Sequence, residues 1–304
     1  MKKDILSVTD LTKQEFADVL NLASDLKEKR KKGILGDLLY KKSLGMIFEK
    51  ASTRTRISFE TGMFELGGHA IFLNPNDMQL GRGEEIKDTA RVLSGYLSAI
   101  MVRSFYHKTV EEIAKYATVP VINGLSDKEH PCQILADVMT MRETFGEDLS
   151  SLKVAWIGDG NNVCNSLILS SLYTRFEVRV STPKGYGPDG DIVKSTIEAG
   201  GNVRFFESPD EAVLGSDVIY TDTWISMGSE NEKEKRLRDF SGYCVSRKLM
   251  EKASPKAVVM HCLPAHRGEE ITDEVIEGKN SIVWRQAENR LHAQKALLVK
   301  LLHK

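Results

Sequence analysis

The chain is poor in cysteine: Cys132, Cys164, Cys244 and Cys262 are the whole set in 304 residues. Thiols so sparse make no disulfide framework, and none stands at CxxC spacing, so a zinc site has little support. No apolar run approaches the roughly 20 residues of a membrane span. The first eleven residues alternate polar and apolar side chains and show no signal-peptide core, which points to a reduced, cytoplasmic setting. An excess of one charge is missing too. With 42 basic and 43 acidic residues the net charge is −1, which argues against nucleic acid or a membrane surface as the main partner.

What is there is the composition of a globular chain, 41% hydrophobic and 28% charged. A length of 304 residues is more than one core usually serves, so two domains are expected. Thr12 and Glu15 form a capping box, after which Phe16, Val19, Leu20, Ala23 and Leu26 recur at helical spacing. The run Lys27 to Lys32 looks like a nucleic-acid patch at first glance. It reads better as cations in the last turn of a helix stopped by Gly33. Apolar runs suited to strands at 44–48, 70–73, 99–102 and 119–123 then alternate with helical patterns at 57–66, 86–97 and 110–117. After a long helical stretch at 131–145 the rhythm resumes. Strands fall at 154–157, 178–181, 203–206, 218–221 and 257–261, and helices at 163–173 and 192–199. This predicts an α/β fold of two domains, each a parallel sheet flanked by helices, with a hinge near the 131–145 helix. Ligands in such sheets sit beyond the carboxyl ends of strands, so the active site is expected in the interdomain cleft. The polar stretch 226–239 is too long for a tight turn and reads equally as a mobile lid or a solvated insertion. A last helix at 287–302 carries Leu291, Leu298 and Leu302 on one face.

Five segments carry chemistry, all at or beyond predicted strand ends. Ser52-Thr53-Arg54-Thr55-Arg56 opens a helix, where hydroxyls, guanidiniums and free backbone N–H groups together suit a phosphate dianion; the plain alternative is a capped helix with exposed arginines. His130-Pro131-Cys132-Gln133 puts an imidazole at a helix entry, suited to a developing oxyanion or simply to a cap. Gly158-Asp159-Gly160-Asn161-Asn162-Val163 imitates a dinucleotide fingerprint. Its third glycine is Val163, and the acidic residue expected about 20 positions on is missing, so NAD is disfavoured. Asn161 and Asn162 suit a small polar ligand better, or a turn with an N-cap. Asp222-Thr223-Trp224-Ile225-Ser226-Met227-Gly228 offers a carboxylate for an amino group, or a helix cap. His261-Cys262-Leu263-Pro264 offers a thiol, functional or a buried bystander.

Together these segments resemble the aspartate/ornithine carbamoyltransferase family, over essentially the whole chain. Ser-Thr-Arg-Thr-Arg paired with His-Pro-x-Gln is specific to that family. Asp-x-x-x-Ser-Met-Gly and His-Cys-Leu-Pro are similar to its ornithine branch. The aspartate branch has Pro-Leu-Pro where this chain has Cys262-Leu263-Pro264, and a lysine-bearing loop where it has Met78-Gln79-Leu80-Gly81.

The resemblance implies transfer of a carbamoyl group from carbamoyl phosphate to the side-chain amine of ornithine, giving citrulline and phosphate, in arginine synthesis or, reversed, in arginine breakdown. It implies a carbamoyl-phosphate domain over 1–134, rejoined by the C-terminal helix at 287–304, and an ornithine domain over 135–286. Ser52, Thr53, Arg54 and Thr55 would hold the phosphate, and Arg103 would bridge phosphate and carbonyl oxygen. His130 would donate to that oxygen and Gln133 would bind the carbamoyl nitrogen. The carbonyls of Cys262 and Leu263 would accept from the same nitrogen, and Arg290 would add a contact. Gln79 would come from a neighbouring subunit, since the family is built on homotrimers with shared sites; trimers could assemble further. Asn162, Asp222, Ser226 and Met227 would grip ornithine. Arg54, Arg103, His130 and Cys262 would carry the catalysis, with no metal or organic cofactor. Within the family the acceptor could instead be putrescine or acetylornithine. Outside it, an exported two-domain solute-binding protein shares the architecture but would have no use for the arginine cluster together with His130.

Overall fold

A computed structural model describes residues 3–79, 83–225 and 230–303. The chain forms two compact units, Met1–Met139 with Glu288–Lys304, and Thr140–Ala287.

The first unit holds strands β1 (Ser43–Phe48), β2 (His69–Leu73), β3 (Ala99–Arg103) and β4 (Val121–Leu125), all parallel in the order β2-β1-β3-β4. A parallel strand covered on both faces must be apolar along its whole length rather than at alternate positions. β3 is apolar from Ala99 to Val102 and buried throughout, and its one charge, Arg103, stands at its carboxyl end. One face packs Ile47, Ile100, Val102 and Val121 against Ala90, Val110 and Ile113 of the helices Ile86–Tyr96 and His107–Tyr116. The capping box is formed. Glu15 N–H donates to Thr12 Oγ1 at 3.2 Å and Thr12 N–H to Glu15 Oε2 at 2.9 Å, starting the helix Lys13–Lys31. The cationic run is more than a solvated last turn. Lys27 is buried and donates to Asn289 Oδ1 at 2.7 Å, while Arg30 and Lys295 both pair with buried Glu65 at 2.6 Å.

The second unit holds β5 (Lys153–Ile157), β6 (Glu177–Ser181), β7 (Val203–Phe205), β8 (Val218–Thr221) and β9 (Val258–His261), parallel in the order β7-β6-β5-β8-β9. Within the polar stretch 226–239, Lys233–Asp239 is helical. The last helix starts at Val283, four residues before the expected Ala287, because Val283 and Gln286 are buried in this unit. Among the described residues no helix is long and apolar enough to cross a membrane.

In each sheet the strand order reverses once, between β1 and β3 and between β5 and β8. Such a switch point parts the loops on either side and leaves a crevice beyond the carboxyl ends. The motifs at Ser52, Gly158 and Asp222 follow strands at these switch points, while those at His130 and Cys262 follow the edge strands β4 and β9.

Candidate functional site

In the first unit, Ser52 closes the loop after β1 and caps the helix Thr53–Glu65, its Oγ accepting from Thr55 N–H at 3.2 Å. The helix start divides the run of five. Thr55 turns inward and is fully buried; Ser52 and Arg54 are half-buried; Thr53 is exposed. Arg56 points away, with its guanidinium 3.9 Å from the Phe72 ring centroid and bonded to Glu60 at 2.9 Å. Across the switch point Arg103 ends β3, buried. Glu49 joins the two loops: its N–H donates to the Arg103 carbonyl at 2.9 Å, and its Oε2 accepts from Ser104 Oγ at 2.5 Å and Phe105 N–H at 3.0 Å.

His130 enters the helix Pro131–Phe145 and is buried. Burial, then the fields of Arg290, Arg103 and Arg54, hold its pKa well below the ordinary imidazole value, so the ring is neutral. The fields of three guanidiniums thus reach one uncharged ring. Arg290 is oriented by three bonds: Nη1 to Gln133 Oε1 at 2.6 Å, Nη2 to Thr55 Oγ1 at 3.1 Å, and Nε to Gln294 Oε1 at 2.9 Å. Gln133 Nε2 donates in turn to Asp137 Oδ1 at 2.8 Å. Cationic donors on rigid elements around a neutral histidine suit an anion that carries a carbonyl. Cys132 is no nucleophile here, since burial pushes its thiol up to about 12. Gln79 is exposed, and none of the described contacts joins it to this cluster.

In the second unit the cluster is anionic. Asn161 caps the helix Asn162–Thr174, its Oδ1 accepting from Val163 and Cys164 N–H, and its Nδ2 donates to Asp222 Oδ2 at 2.8 Å. Cys262 Sγ donates to Asp222 Oδ1 at 2.8 Å. Asn162 is half-buried in the first helical turn. Ser226 and Met227 lie outside the described residues. The glycine motif proves to be packing: a Cβ on Gly160 would stand 2.2 Å from the Pro188 nitrogen, so only glycine lets these backbones meet.

Behind Cys262 runs a network the sequence did not disclose. Leu263, in the left-handed region at φ 62°, donates its N–H to His261 Nδ1 at 2.8 Å. An accepting Nδ1 puts the proton on Nε2, which donates to buried Glu270 at 3.0 Å. Glu270 also accepts the His266 N–H at 2.5 Å, and His266 Nδ1 lies 3.0 Å from Thr223 Oγ1. One carboxylate thus braces the neighbours of both Asp222 and Cys262. Donor atoms of Asp222, His261 and Cys262 lie within 4.8 Å of one another, as do those of His266, Glu269 and Glu270. Both ring nitrogens of His261 are already engaged, which leaves the first set one ligand short.

Residues 3–143 match the family described as aspartate/ornithine carbamoyltransferase, carbamoyl-P binding domain, and residues 150–301 match its Asp/Orn binding domain. An ornithine carbamoyltransferase of Methanoculleus marisnigri is 60% identical over 302 residues, covering 99% of this chain and 97% of that protein. One from Archaeoglobus fulgidus is 58% identical, covering 99% and 98%. Among solved structures, the ornithine carbamoyltransferase of Pyrococcus furiosus superposes with a TM-score of 0.94 at 52% identity, covering 99% of this chain and 97% of that one. That of Thermus thermophilus gives 0.90 at 43%, covering 99% of both.

Proposed function

The chain belongs to the aspartate/ornithine carbamoyltransferase family, and from that premise we propose that it moves the carbamoyl group of carbamoyl phosphate to the side-chain amine of L-ornithine. The observation that carries the reading is neutral His130 among Arg54, Arg103 and Arg290. An imidazolium there would be one cation too many. A neutral ring donates an N–H to the carbonyl oxygen without competing for the phosphate.

In this reading the first unit is the carbamoyl-phosphate domain. Ser52, Thr53, Arg54 and Thr55 hold the phosphate, Arg103 spans phosphate and carbonyl oxygen, and Arg290 adds a further contact. Gln133 Oε1, which already takes Arg290, has a second lone pair for the carbamoyl nitrogen. The carbonyls of Cys262 and Leu263 accept from the same nitrogen. The second unit is the ornithine domain, using Asn162, Asp222, Ser226 and Met227.

The nucleophile must be the free amine. An alkylammonium of pKa about 10.4 costs about 4.6 kcal/mol to deprotonate at pH 7. Cys262 and Asp222, already bonded to each other, organise loss of that proton. The amine then attacks the carbonyl carbon, and Thr55, Arg103 and His130 stabilise the oxyanion. Breaking the bond from carbonyl carbon to phosphate oxygen releases phosphate, which takes up a proton. The reaction serves arginine metabolism in the cytoplasm. A homotrimer with Gln79 reaching the neighbouring site is supported by the family and by apolar side chains exposed on the first unit, among them Phe64 and Tyr96 at 75% and 77%.

The test is citrulline formation from carbamoyl phosphate, with ornithine, putrescine, acetylornithine and aspartate offered separately. Turnover with ornithine alone is expected. Turnover with another acceptor would keep the phosphate cluster and discard the ornithine assignment.

A further inference from the structure

Arg54 and Arg290 stand on helices far apart in the sequence, and one amide joins them. Gln294 lies one turn after Arg290 on the helix Val283–Leu302 and is fully buried. Its Oε1 accepts from Arg290 Nε at 2.9 Å and its Nε2 donates to Ser58 Oγ at 2.7 Å. Ser58, one turn after Arg54, donates in turn to the Arg54 carbonyl at 2.5 Å. Arg290 Nη2 closes the circuit on Thr55 Oγ1 at 3.1 Å. Chemistry dictates the direction of each bond. A guanidinium has only donors, so the amide turns its oxygen to Arg290. The amide nitrogen then faces Ser58, whose oxygen accepts and whose proton is left for the Arg54 carbonyl. The two helices come this close because Gly62, one turn beyond Ser58, has no side chain; a Cβ there would stand 3.1 Å from Lys295 Cγ, tighter than ordinary packing.

Fastening two helices does not call for a buried amide. Paired polar groups return little net stability, and apolar groups of the same shape can replace them at small cost. What the amide adds is direction. We propose that Gln294 is a positioning residue for the dianion site: through Arg290 Nε and through Ser58 it sets the guanidinium of Arg290 in register with the helical turn that bears Arg54 and Thr55. The inference rests on the reading of these three residues as carbamoyl-phosphate ligands, and Gln294 acts through them. A misplacement of about 1 Å can cost on the order of 100-fold. Gln133 and Thr55 still hold Arg290 when Gln294 is gone, so a smaller loss of about tenfold is expected.

The experiment is steady-state kinetics of the full chain with both substrates, and with inorganic phosphate as product inhibitor. Wild type and R290M are its first arm. No citrulline from wild type, or an unmoved carbamoyl-phosphate KM in R290M, removes the reading of the site itself and the proposal with it. Given that arm, Q294M keeps the length of the side chain without its amide. It should raise the carbamoyl-phosphate KM and the phosphate inhibition constant about tenfold each, with the ornithine KM within about twofold. S58A spares the acceptor for Arg290 but unties Arg54, and should raise the same two constants about threefold. S58A/Q294M should be no worse than Q294M alone, because both changes break one chain of bonds. A folded Q294M with both phosphate constants unchanged would overturn the proposal. So would an equal rise in the ornithine KM, or single losses that simply multiply in the double variant. If Q294M does not fold, S58A decides: a rise confined to the two phosphate ligands is expected, and no change refutes the idea.

Discussion

In the first unit the fields of three guanidiniums, with burial, hold one imidazole neutral; at the ends of β5 and β8 stand two carboxylates, one bonded to a guanidinium and the other to a thiol. The scaffolds are the same, a parallel sheet whose strand order reverses once. The charge laid on them is opposite. A transferase that moves a carbamoyl group from carbamoyl phosphate to an amino acid, releasing phosphate, must handle a dianion and an ammonium, and one field cannot suit both. The fold keeps the two fields on separate sheets and neutralises what would blur them. In the first unit His130 gives up its proton. In the second Arg236 pairs with Asp159 at 2.9 Å.

The largest effect should come from attacking the cationic side. R54G removes the proposed phosphate donor from a half-buried position and is expected to cut turnover about a thousandfold, with the fold intact by circular dichroism. Near-normal turnover would dissolve the assignment of the first cluster. D222N comes next. It leaves an oxygen for one of the Asn161 and Cys262 donors but removes the charge. The ornithine KM should rise about a hundredfold, while carbamoyl-phosphate binding, read by calorimetry without ornithine, should change little. If D222N weakened both substrates alike, the division of labour between the units would be wrong.

The first unit also buries an acid beside its cluster. Glu129 precedes His130 and accepts the Val8 N–H at 3.0 Å, and burial raises its carboxyl from 4.5 to about 7. A raised folded pKa means that the protonated form is the stabilising one. That contribution is whole below pH 4.5 and is lost as pH rises through about 7, on the order of 3 kcal/mol in all. E129Q keeps the Val8 bond without a charge. Its melting temperature should match wild type near pH 5 and exceed it near pH 9; parallel curves would mean that Glu129 does not titrate in this range.

How far this division could be read from the sequence depended on what carried each part. β1 and β3 show as unbroken apolar runs because both faces are covered, and Pro131 marks a helix start because its missing N–H costs nothing there. The hydroxyl and guanidinium run at 52–56 was legible as a helix entry because it is local: five residues at one cap. The Arg236–Asp159 pair was not, since 77 positions separate the partners and each sat in a segment with another obvious reading. Asp159 looked like part of a spoiled dinucleotide motif, and Arg236 like one charge among many in a polar stretch. Lys233–Asp239 has no buried residue, so no apolar stripe announced it; Arg236 and Lys235 anchor it through tertiary contacts instead. The early start of the last helix was missed for a similar reason. Gln286 is polar, yet buried, where its Oε1 takes the His261 N–H at 2.9 Å.

The smallest effect probes the scaffold apart from either field. Thr12 is exposed, and its hydroxyl and N–H both engage Glu15 at the start of the helix Lys13–Lys31. T12A removes the cap and should cost about 1 kcal/mol. For a chain of this size that lowers the melting temperature by about 2 °C. Neither KM should move, because the cap touches no charged group of either cluster. A shift confined to one substrate would show that this helix start helps to set one of the two fields. A drop in stability with both constants unchanged would leave the separation of charge where the two switch points put it.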